Sequence, residues 1–499
     1  MAQSNEVKEQ ARERKMVRTY LDQIPMGDDE FIRKEAAMSR KERKRLPDGC
    51  QNSVLYKDIM RIAGPSLMEL MLASLVSMAD MIMVGSMVNG DDAIAAVSLA
   101  AQPKFIFVSL IIALNTGITA AVARARGEGQ HEKANDTLRQ GLMFSLLVCI
   151  FGSLVGFVFA DPLTRFMANS GLSEEVIAMS TSYLKIQMAG FLTMGVTSTY
   201  TAALRGTGNS QLPMVYNIIA NVVNICGNYL LINGHFGFPA LGVVGASLAT
   251  VFGQTVALVI AVCSSRSGRY YFQVRLSDFF HGFRPDPVII KRIIKVGIPS
   301  LGEQAILRVG IILFSRQVVA LGQPYYTTHQ ISMNIQSLTF MLGQAMAVSS
   351  TTLVGQSLGK RRPDMAEHYS SRCSILGMAI SLVLGLLFAF FGKYVVALYS
   401  DTAAVIEASV PVMMVLGILQ PIQTPQFILS GSLRGAGDTK TTAFITFVCV
   451  LLLRPAIAAF TIAQFGLMGA WYAIAIDQVV RTALVLLVYR IGKWKKISL

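Results

Sequence analysis

The stretch Leu204–Asn209 reads LRGTGN, and Leu433–Asp438 in the second half of the chain reads LRGAGD. A second pair of matching stretches lies earlier in each half, where Pro65–Glu69 reads PSLME and Pro299–Glu303 reads PSLGE. The matches keep the same order in both halves, which chance similarity would not produce. The sequence is therefore an internal duplication, with one copy of the repeat in each half.

Apolar stretches long enough to cross a bilayer dominate both halves. The chain has 499 residues, of which 53% are hydrophobic and only 15% are charged. Because a membrane helix needs about 20 apolar residues, we count twelve spans, centred near residues 70, 105, 150, 192, 222, 252, 308, 340, 381, 418, 451 and 478. The pattern predicts an all-α integral membrane protein with twelve transmembrane helices.

The duplication and the span count together predict the architecture. Each repeat holds six predicted helices, so both repeats enter and leave the membrane on the same side and are parallel repeats. We therefore expect two pseudo-symmetric six-helix bundles that alternate access by rocking. The expected segments are a charged N-terminal tail (1–52), an N-lobe (53–264), a cytoplasmic linker (265–289), a C-lobe (290–492) and a cytoplasmic C-terminus (493–499).

Basic residues are concentrated in alternate loops. Arg124 and Arg126 follow span 2 and Lys360–Arg362 follow span 8, whereas the loop Ser86–Asp92 has neither lysine nor arginine. By the positive-inside rule both termini are cytoplasmic, and we expect a multi-pass protein of the plasma membrane. The net charge of +14 then reflects topology and contact with anionic lipid, for example at Arg40–Arg45, rather than nucleic acid.

The sequence offers no pattern for a cofactor or a resident metal. The six cysteines are scattered and have no C-x-x-C spacing, and the predicted helices contain neither paired metal ligands nor a nucleophile beside a base. We therefore expect no cofactor, no metal centre and no enzyme activity.

Several motifs resemble one transporter family. They are Ala79–Gly85 (ADMIMVG), Thr352–Gly359 (TLVGQSLG) and the two Leu-Arg-Gly-x-Gly stretches. Over roughly residues 55–492 the chain resembles the MATE (multidrug and toxic compound extrusion) family of the MOP flippase superfamily. The resemblance implies a V-shaped pair of bundles that exports organic cations or amphipathic drugs in antiport with Na⁺ or H⁺. We expect a monomer whose partners are these small molecules, the coupling ion and membrane lipids.

Asp80 lies near the end of span 1, where the resemblance places an acid that binds the coupling ion, and transient Na⁺ binding is expected there. The alternative is a carboxylate that caps a neighbouring helix at the membrane interface. Span 5 contributes four asparagines whose spacing lines one helix face. Their amide oxygens could coordinate sodium or bond Asp80, or the side chains could join neighbouring helices; they are Asn217, Asn221, Asn224 and Asn228.

Glu69 and Glu303 occupy matching places, four residues after a proline in each repeat. Proline loosens helix hydrogen bonding there, and the resemblance makes Glu303 the coupling candidate of the C-lobe. The alternative is a structural salt bridge from Glu303 to Arg308 or to a neighbouring helix.

Span 8 supplies the polar residues Gln330 and Asn334 to the expected cavity, together with His329, which we expect to be exposed near the outer end. Asp477 and Arg481 in span 12 are four residues apart, and we expect them to pair with each other.

A second function remains open at this point. A flippase for lipid-linked oligosaccharide or peptidoglycan precursors would share the superfamily architecture. Such a protein needs cations for pyrophosphate, and Arg308, Arg316 and Arg454 are intramembrane candidates.

Overall fold

The structure is a computed structural model that describes residues 19–37, 46–47, 50–87, 89–168, 172–266, 271–272, 285–397, 399 and 402–497. Within these ranges the chain is helical and contains no β-strand. The helices of the first half are α1 Asp29–Ala37, α2 Asn52–Gly85, α3 Gly90–Gly127, α4 His131–Val158, α5 Ala160–Met167, α6 Glu174–Ala189, α7 Phe191–Gly206, α8 Gln211–Leu231 and α9 Val243–Arg266.

The second half repeats the long apolar helices. They are α10 Pro287–Val319, α11 Gln323–Gly359, α12 Pro363–Ala397, α13 Ala403–Ala436, α14 Thr439–Thr446, α15 Arg454–Phe465 and α16 Leu467–Ile491. A π-helical segment, Phe447–Leu453, joins α14 to α15 in one continuous apolar stretch, Thr439–Phe465. Short 3₁₀ turns occur at Tyr20–Gln23, His235–Gly237 and Lys493–Lys496.

Eleven helices in the described ranges are long and apolar enough to cross a membrane. The predicted fourth span is the exception, because it consists of two 16-residue helices, α6 and α7, that meet at Gly190. A Cβ at Gly190 would lie 2.4 Å from a methyl carbon of Val251, so only glycine lets this joint approach α9. The all-helical membrane fold predicted from the sequence is confirmed, with span 4 broken at a glycine.

Large apolar side chains cover much of the outer surface. Phe151 is 69% exposed and Phe390 is 75% exposed, each in the second half of a long helix. A soluble protein rarely exposes such continuous apolar area, whereas a lipid bilayer solvates it and requires only that backbone groups be bonded within each helix.

The chain forms two compact units, and each has its own core. In the first unit Phe191 packs with Leu184 and Met188, and in the second Trp471 packs with Phe314 and Leu416. The first unit includes Met68–Val122 and Gln130–Ile294, and the second comprises Thr19–Leu67, Ala123–Gly129 and Lys295–Leu499. The predicted lobe bounds, 53–264 and 290–492, stay predictions.

Two predicted features lie largely or wholly outside the described residues. The basic cluster Arg40–Arg45 is one, and most of the predicted linker 265–289 is the other.

The N-terminal segment folds onto helices of the second unit. The Tyr20 backbone N–H donates to the Asp58 carboxylate of α2 at 2.8 Å, and the Tyr369 hydroxyl of α12 donates to the same oxygen at 2.7 Å. Leu21 is buried, and the Lys360 ammonium donates to its carbonyl oxygen. Burial disfavours the charged ammonium and lowers the pKa of Lys360. The Leu21 carbonyl oxygen that accepts from the ammonium therefore helps to stabilise its charged form. Part of the predicted charged tail is thus ordered against the bundle.

Replacing Tyr369 with phenylalanine is expected to loosen this segment. The substitution removes one of two hydrogen bonds to the buried Asp58 carboxylate, a loss of about 1.5–3 kcal/mol for a bond to a charged group. We expect a lower unfolding temperature and faster proteolysis near Tyr20. The control is Tyr394→Phe, since Tyr394 is 70% exposed; equal proteolysis of both variants would contradict the prediction.

Two glycines at helix ends, Gly127 and Gly359, meet in the second unit. A Cβ at Gly127, the last residue of α3, would lie 2.1 Å from the Gln356 carbonyl oxygen. A Cβ at Gly359, the last residue of α11, would lie 2.2 Å from the Arg124 carbonyl oxygen. The backbones therefore touch reciprocally, and both repeats end these helices on glycine for this reason.

Gly359→Ala is expected to destabilise the protein by about 1–3 kcal/mol, because the added methyl group must push two backbones apart. Gly302→Ala in α10 is the matched control, since a Cβ there meets nothing within 4 Å. Thermal unfolding in detergent measures both, and a Gly359→Ala variant as stable as Gly302→Ala would refute the close-approach argument.

Candidate functional site

Asp80 lies near the end of α2 and faces two asparagines of α8. The Asn228 amide nitrogen donates to Asp80 Oδ1 at 2.6 Å. With its amide nitrogen turned toward Asp80, Asn224 donates to the same oxygen at 2.9 Å, and its own oxygen accepts from the backbone N–H and hydroxyl of Thr250 in α9, both at 3.1 Å. One acid, two amides and a hydroxyl thus converge from three helices.

This cluster presents oxygen atoms of the kind that bind hard cations. The Asn228 Oδ1 atom is buried and has no hydrogen-bond donor among the described residues. Carboxylate, amide and hydroxyl oxygens are the ligands that alkali and alkaline-earth cations prefer. Within the described ranges no three His, Cys, Asp or Glu side chains lie together in a way that could hold a metal ion. A cation here would therefore be held by one carboxylate and neutral oxygens, which suits weak, reversible binding.

The four asparagines of α8 divide between two acids. Asn217 donates to Glu69 Oε1 at 2.7 Å, whereas Asn224 and Asn228 face Asp80. Asn221 is half-buried and makes no side-chain hydrogen bond to any described residue. The asparagines do share one face of α8, as predicted. The first of them bonds Glu69, and the last two bond Asp80.

Glu69 and Glu303 are both paired with an arginine of the repeated Leu-Arg-Gly stretch. Arg205 Nη2 lies 2.7 Å from Glu69 Oε2, and Arg434 Nη2 lies 2.6 Å from Glu303 Oε1. Both glutamates are therefore compensated, and the salt bridge of Glu303 is made to α13 instead of to Arg308. The duplication repeats this ion pair as well as the sequence.

Hydroxyl groups complete the surroundings of Glu303. Thr442 and Thr446 direct their Oγ1 atoms to the carboxylate at 3.3 and 3.4 Å. Only 5% of the Glu303 side chain is exposed. This geometry favours a structural role for Glu303 and leaves Asp80, which has no cation within ion-pairing distance among the described residues, as the stronger ion-binding candidate.

The sequence model of the family named MatE matches residues 65–230 and 299–460, one match in each repeat. This chain belongs to the MATE family. The two matches together cover more than half of the chain and contain Asp80, Asn228 and Glu303.

Relatives of this MATE protein match over nearly their whole length. The probable multidrug resistance protein NorM of Thermotoga maritima is 28% identical over 447 residues, which are 89% of this chain and 94% of the relative. The uncharacterized transporter YisQ of Bacillus subtilis is 25% identical over 439 residues, 88% and 93% of the two chains. A solved outward-facing multidrug resistance MATE transporter of the MOP superfamily shares the fold with a TM-score of 0.80 at 22% identity, covering 91% of this chain and 100% of that one.

Lys104 of α3 is a polar residue of this MATE protein that sequence reasoning missed. Its ammonium donates to Gln187 at 2.7 Å, and Gln187 donates to Ser247 at 3.0 Å. It is also close enough to Asp80 for the two charges to interact. A lone lysine one residue after Pro103, inside an apolar span, is the signal that would have found it.

The polar residues predicted on span 8 make their hydrogen bonds within their own helix, and their place in a transport cavity stays a prediction. Gln330 and Asn334 are exposed, and their hydrogen bonds go to Tyr326 and to the Gln330 backbone, all within α11. The expected exposure of His329 was wrong. It is 2% exposed, with its ring against Phe314 and Trp471, because α11 turns this face into the core.

The predicted pair Asp477–Arg481 is confirmed at 2.6 Å, but it belongs to a larger cluster. Arg454, at the start of α15, also bonds the Asp477 carboxylate through Nε at 3.1 Å and through Nη2. A buried aspartate with two arginines replaces the simple pair expected from the spacing.

Proposed function

We propose that this MATE protein is a multidrug efflux transporter that exports organic cations or amphipathic drugs in exchange for Na⁺ or H⁺. The observation that carries the proposal is Asp80 in an apolar helix, whose carboxylate accepts hydrogen bonds from the neutral amides of Asn224 and Asn228, with the Thr250 hydroxyl bonded to Asn224. The NorM relatives named as multidrug resistance proteins support the drug-export part. Both termini are proposed to lie in the cytoplasm of a plasma-membrane protein.

The proposed mechanism is competition for one negative charge. In the outward-open state the incoming cation binds Asp80 and weakens the binding of a cationic drug, which leaves. After the cation is released inside, Lys104 balances part of the Asp80 charge until a new drug arrives. One-for-one exchange of a monovalent cation for a monovalent cationic drug moves no net charge. Export is therefore driven by the concentration gradient of the coupling ion, and a tenfold gradient contributes about 1.4 kcal/mol.

The test is export of a fluorescent cationic dye, ethidium, by purified protein in lipid vesicles. One set of vesicles receives a sodium gradient at constant pH, and another receives a pH gradient at constant sodium. Export under one gradient identifies the coupling ion. No export under either gradient, with correctly inserted protein, would overturn the antiport proposal.

The alternative function is a lipid-linked precursor flippase. A pyrophosphate group needs several cations, and of the three candidates Arg308, Arg316 and Arg454, Arg454 is already bonded to the Asp477 carboxylate. The NorM relatives, in contrast, are named as probable multidrug resistance proteins. The drug-export reading is therefore favoured. Transbilayer movement of a fluorescent pyrophosphate lipid in the same vesicles, without dye export, would reverse this preference.

A further inference from the structure

The cluster of Arg454, Asp477 and Arg481 lies within the apolar helices α15 and α16 of the second unit. The Asp477 side chain is completely buried, and the arginine side chains are 10% and 6% exposed. Both guanidinium groups approach one oxygen of Asp477, Oδ2. The cluster therefore carries a net charge of +1 in a region of low dielectric constant.

Among the described residues, Asp477 is the one carboxylate within ion-pairing distance of Arg454 and Arg481. The cluster therefore has no second counter-charge at contact distance in the part of the chain that the structure describes. His329, also within electrostatic reach of Arg454, cannot supply negative charge. Buried charges in membranes are normally paired, because an unpaired ion loses its hydration without compensation.

The cluster also has unused hydrogen-bonding capacity. Arg481 Nε is a buried donor without a partner among the described residues. Each arginine bonds Asp477 and no other described residue, so Nη1 of each guanidinium remains available as a donor. Two guanidinium groups held on one carboxylate oxygen thus direct their remaining N–H bonds away from it.

The backbone beside the cluster is also unusual. The segment Phe447–Leu453 is π-helical and ends directly before Arg454. π-Helical turns are rare and occur often at functional sites, because the extra residue in the turn reorients the side chains that follow. Arg454 is nine-tenths buried, so this reorientation places a cation inside the unit instead of at its lipid surface.

We propose that Arg454 and Arg481 form a binding site for a monovalent anion, either a free halide or the carboxylate of a transported molecule. The anion neutralises the excess charge and accepts the unused guanidinium N–H bonds, while Asp477 holds both arginines in place. The site is additional to the cation role of Asp80 and does not depend on it. Its ligand chemistry is the reverse of that at Asp80.

The test measures thermal unfolding of the purified full-length protein in detergent, at constant sodium and ionic strength. Chloride is titrated against gluconate, and benzoate against its uncharged analogue benzamide. We expect the unfolding temperature to rise saturably with chloride, with benzoate, or with both. A response to chloride alone identifies a halide site, and a response to benzoate alone identifies a site for an organic carboxylate.

Variants of the cluster assign the effect. Arg454→Gln and Arg481→Gln each leave a neutral pair, and we expect the half-saturating anion concentration to increase at least tenfold in either variant that folds. Asp477→Asn raises the charge to +2 and should decrease that concentration. Arg165→Gln removes an exposed arginine and is the control for ionic effects. An unfolding temperature independent of every anion, or cluster variants that respond like wild type, would overturn the proposal.

Discussion

Replacing Asp80 with asparagine is expected to abolish gradient-driven dye export while leaving the protein folded. The substitution keeps the size of the side chain and an oxygen that can accept from Asn228, whose amide nitrogen lies 2.6 Å from the Asp80 carboxylate. It removes the charge that we propose binds the coupling cation. We expect the initial export rate to fall at least tenfold, because about 1.4 kcal/mol of lost ion binding already has that effect. Vesicles with imposed sodium or proton gradients measure the rate.

Asp161→Asn is the matched control for this variant. Asp161 carries the same charge at an exposed position: its side chain is 49% exposed and pairs with Arg165. It should export dye like wild type. If Asp80→Asn also exports at the wild-type rate, the coupling ion is bound elsewhere, and the proposed mechanism fails at its first step.

Replacing Glu303 with glutamine is expected to have the largest effect on stability. It leaves the Arg434 guanidinium, previously 2.6 Å from the carboxylate, without its counter-charge in a largely buried place. Breaking one partner of a buried ion pair costs about 3–5 kcal/mol. We expect a marked fall in unfolding temperature and in the amount of inserted protein.

The double variant Glu303→Gln with Arg434→Gln separates charge from shape. Removing both charges eliminates the unpaired guanidinium, so the double variant should be more stable than Glu303→Gln alone. Glu69→Gln is the counterpart in the first repeat, where the glutamate is more exposed, 12% against 5% for Glu303, and the loss should be smaller. A Glu303→Gln variant that folds like wild type but no longer couples export to ions would instead make Glu303 the coupling acid.

Much of the fold was predictable because it depends on local composition. Membrane helices are recognisable in the sequence as long apolar stretches, and the duplicated motifs show that each half contains the same number of them. The broken span at Gly190 was not predictable, because its cause is the nearby Val251 side chain, which is distant in sequence. The same applies to the backbone contact made at Gly127 and Gly359, whose partners are distant in sequence.

The candidate site divides in the same way. The spacing of Asn224 and Asn228 predicts one helix face, and a membrane-embedded Asp80 is a candidate on energetic grounds alone. The arginine partners of Glu69 and Glu303, the burial of His329 and the approach of Lys104 to Asp80 depend on which helices are neighbours. Helix neighbours follow from packing, which a single sequence does not record.

The sequence by itself determined that this protein is a duplicated, all-helical membrane protein, because hydrophobicity and motif order are properties of the chain, and its motifs resemble those of MATE transporters. Only the tertiary structure decided which charges are compensated. Glu69 and Glu303 each meet an arginine, and Asp80 meets amides. The physical reason is that charge compensation acts over a few ångströms, and residues more than 100 positions apart come that close only when the helices pack.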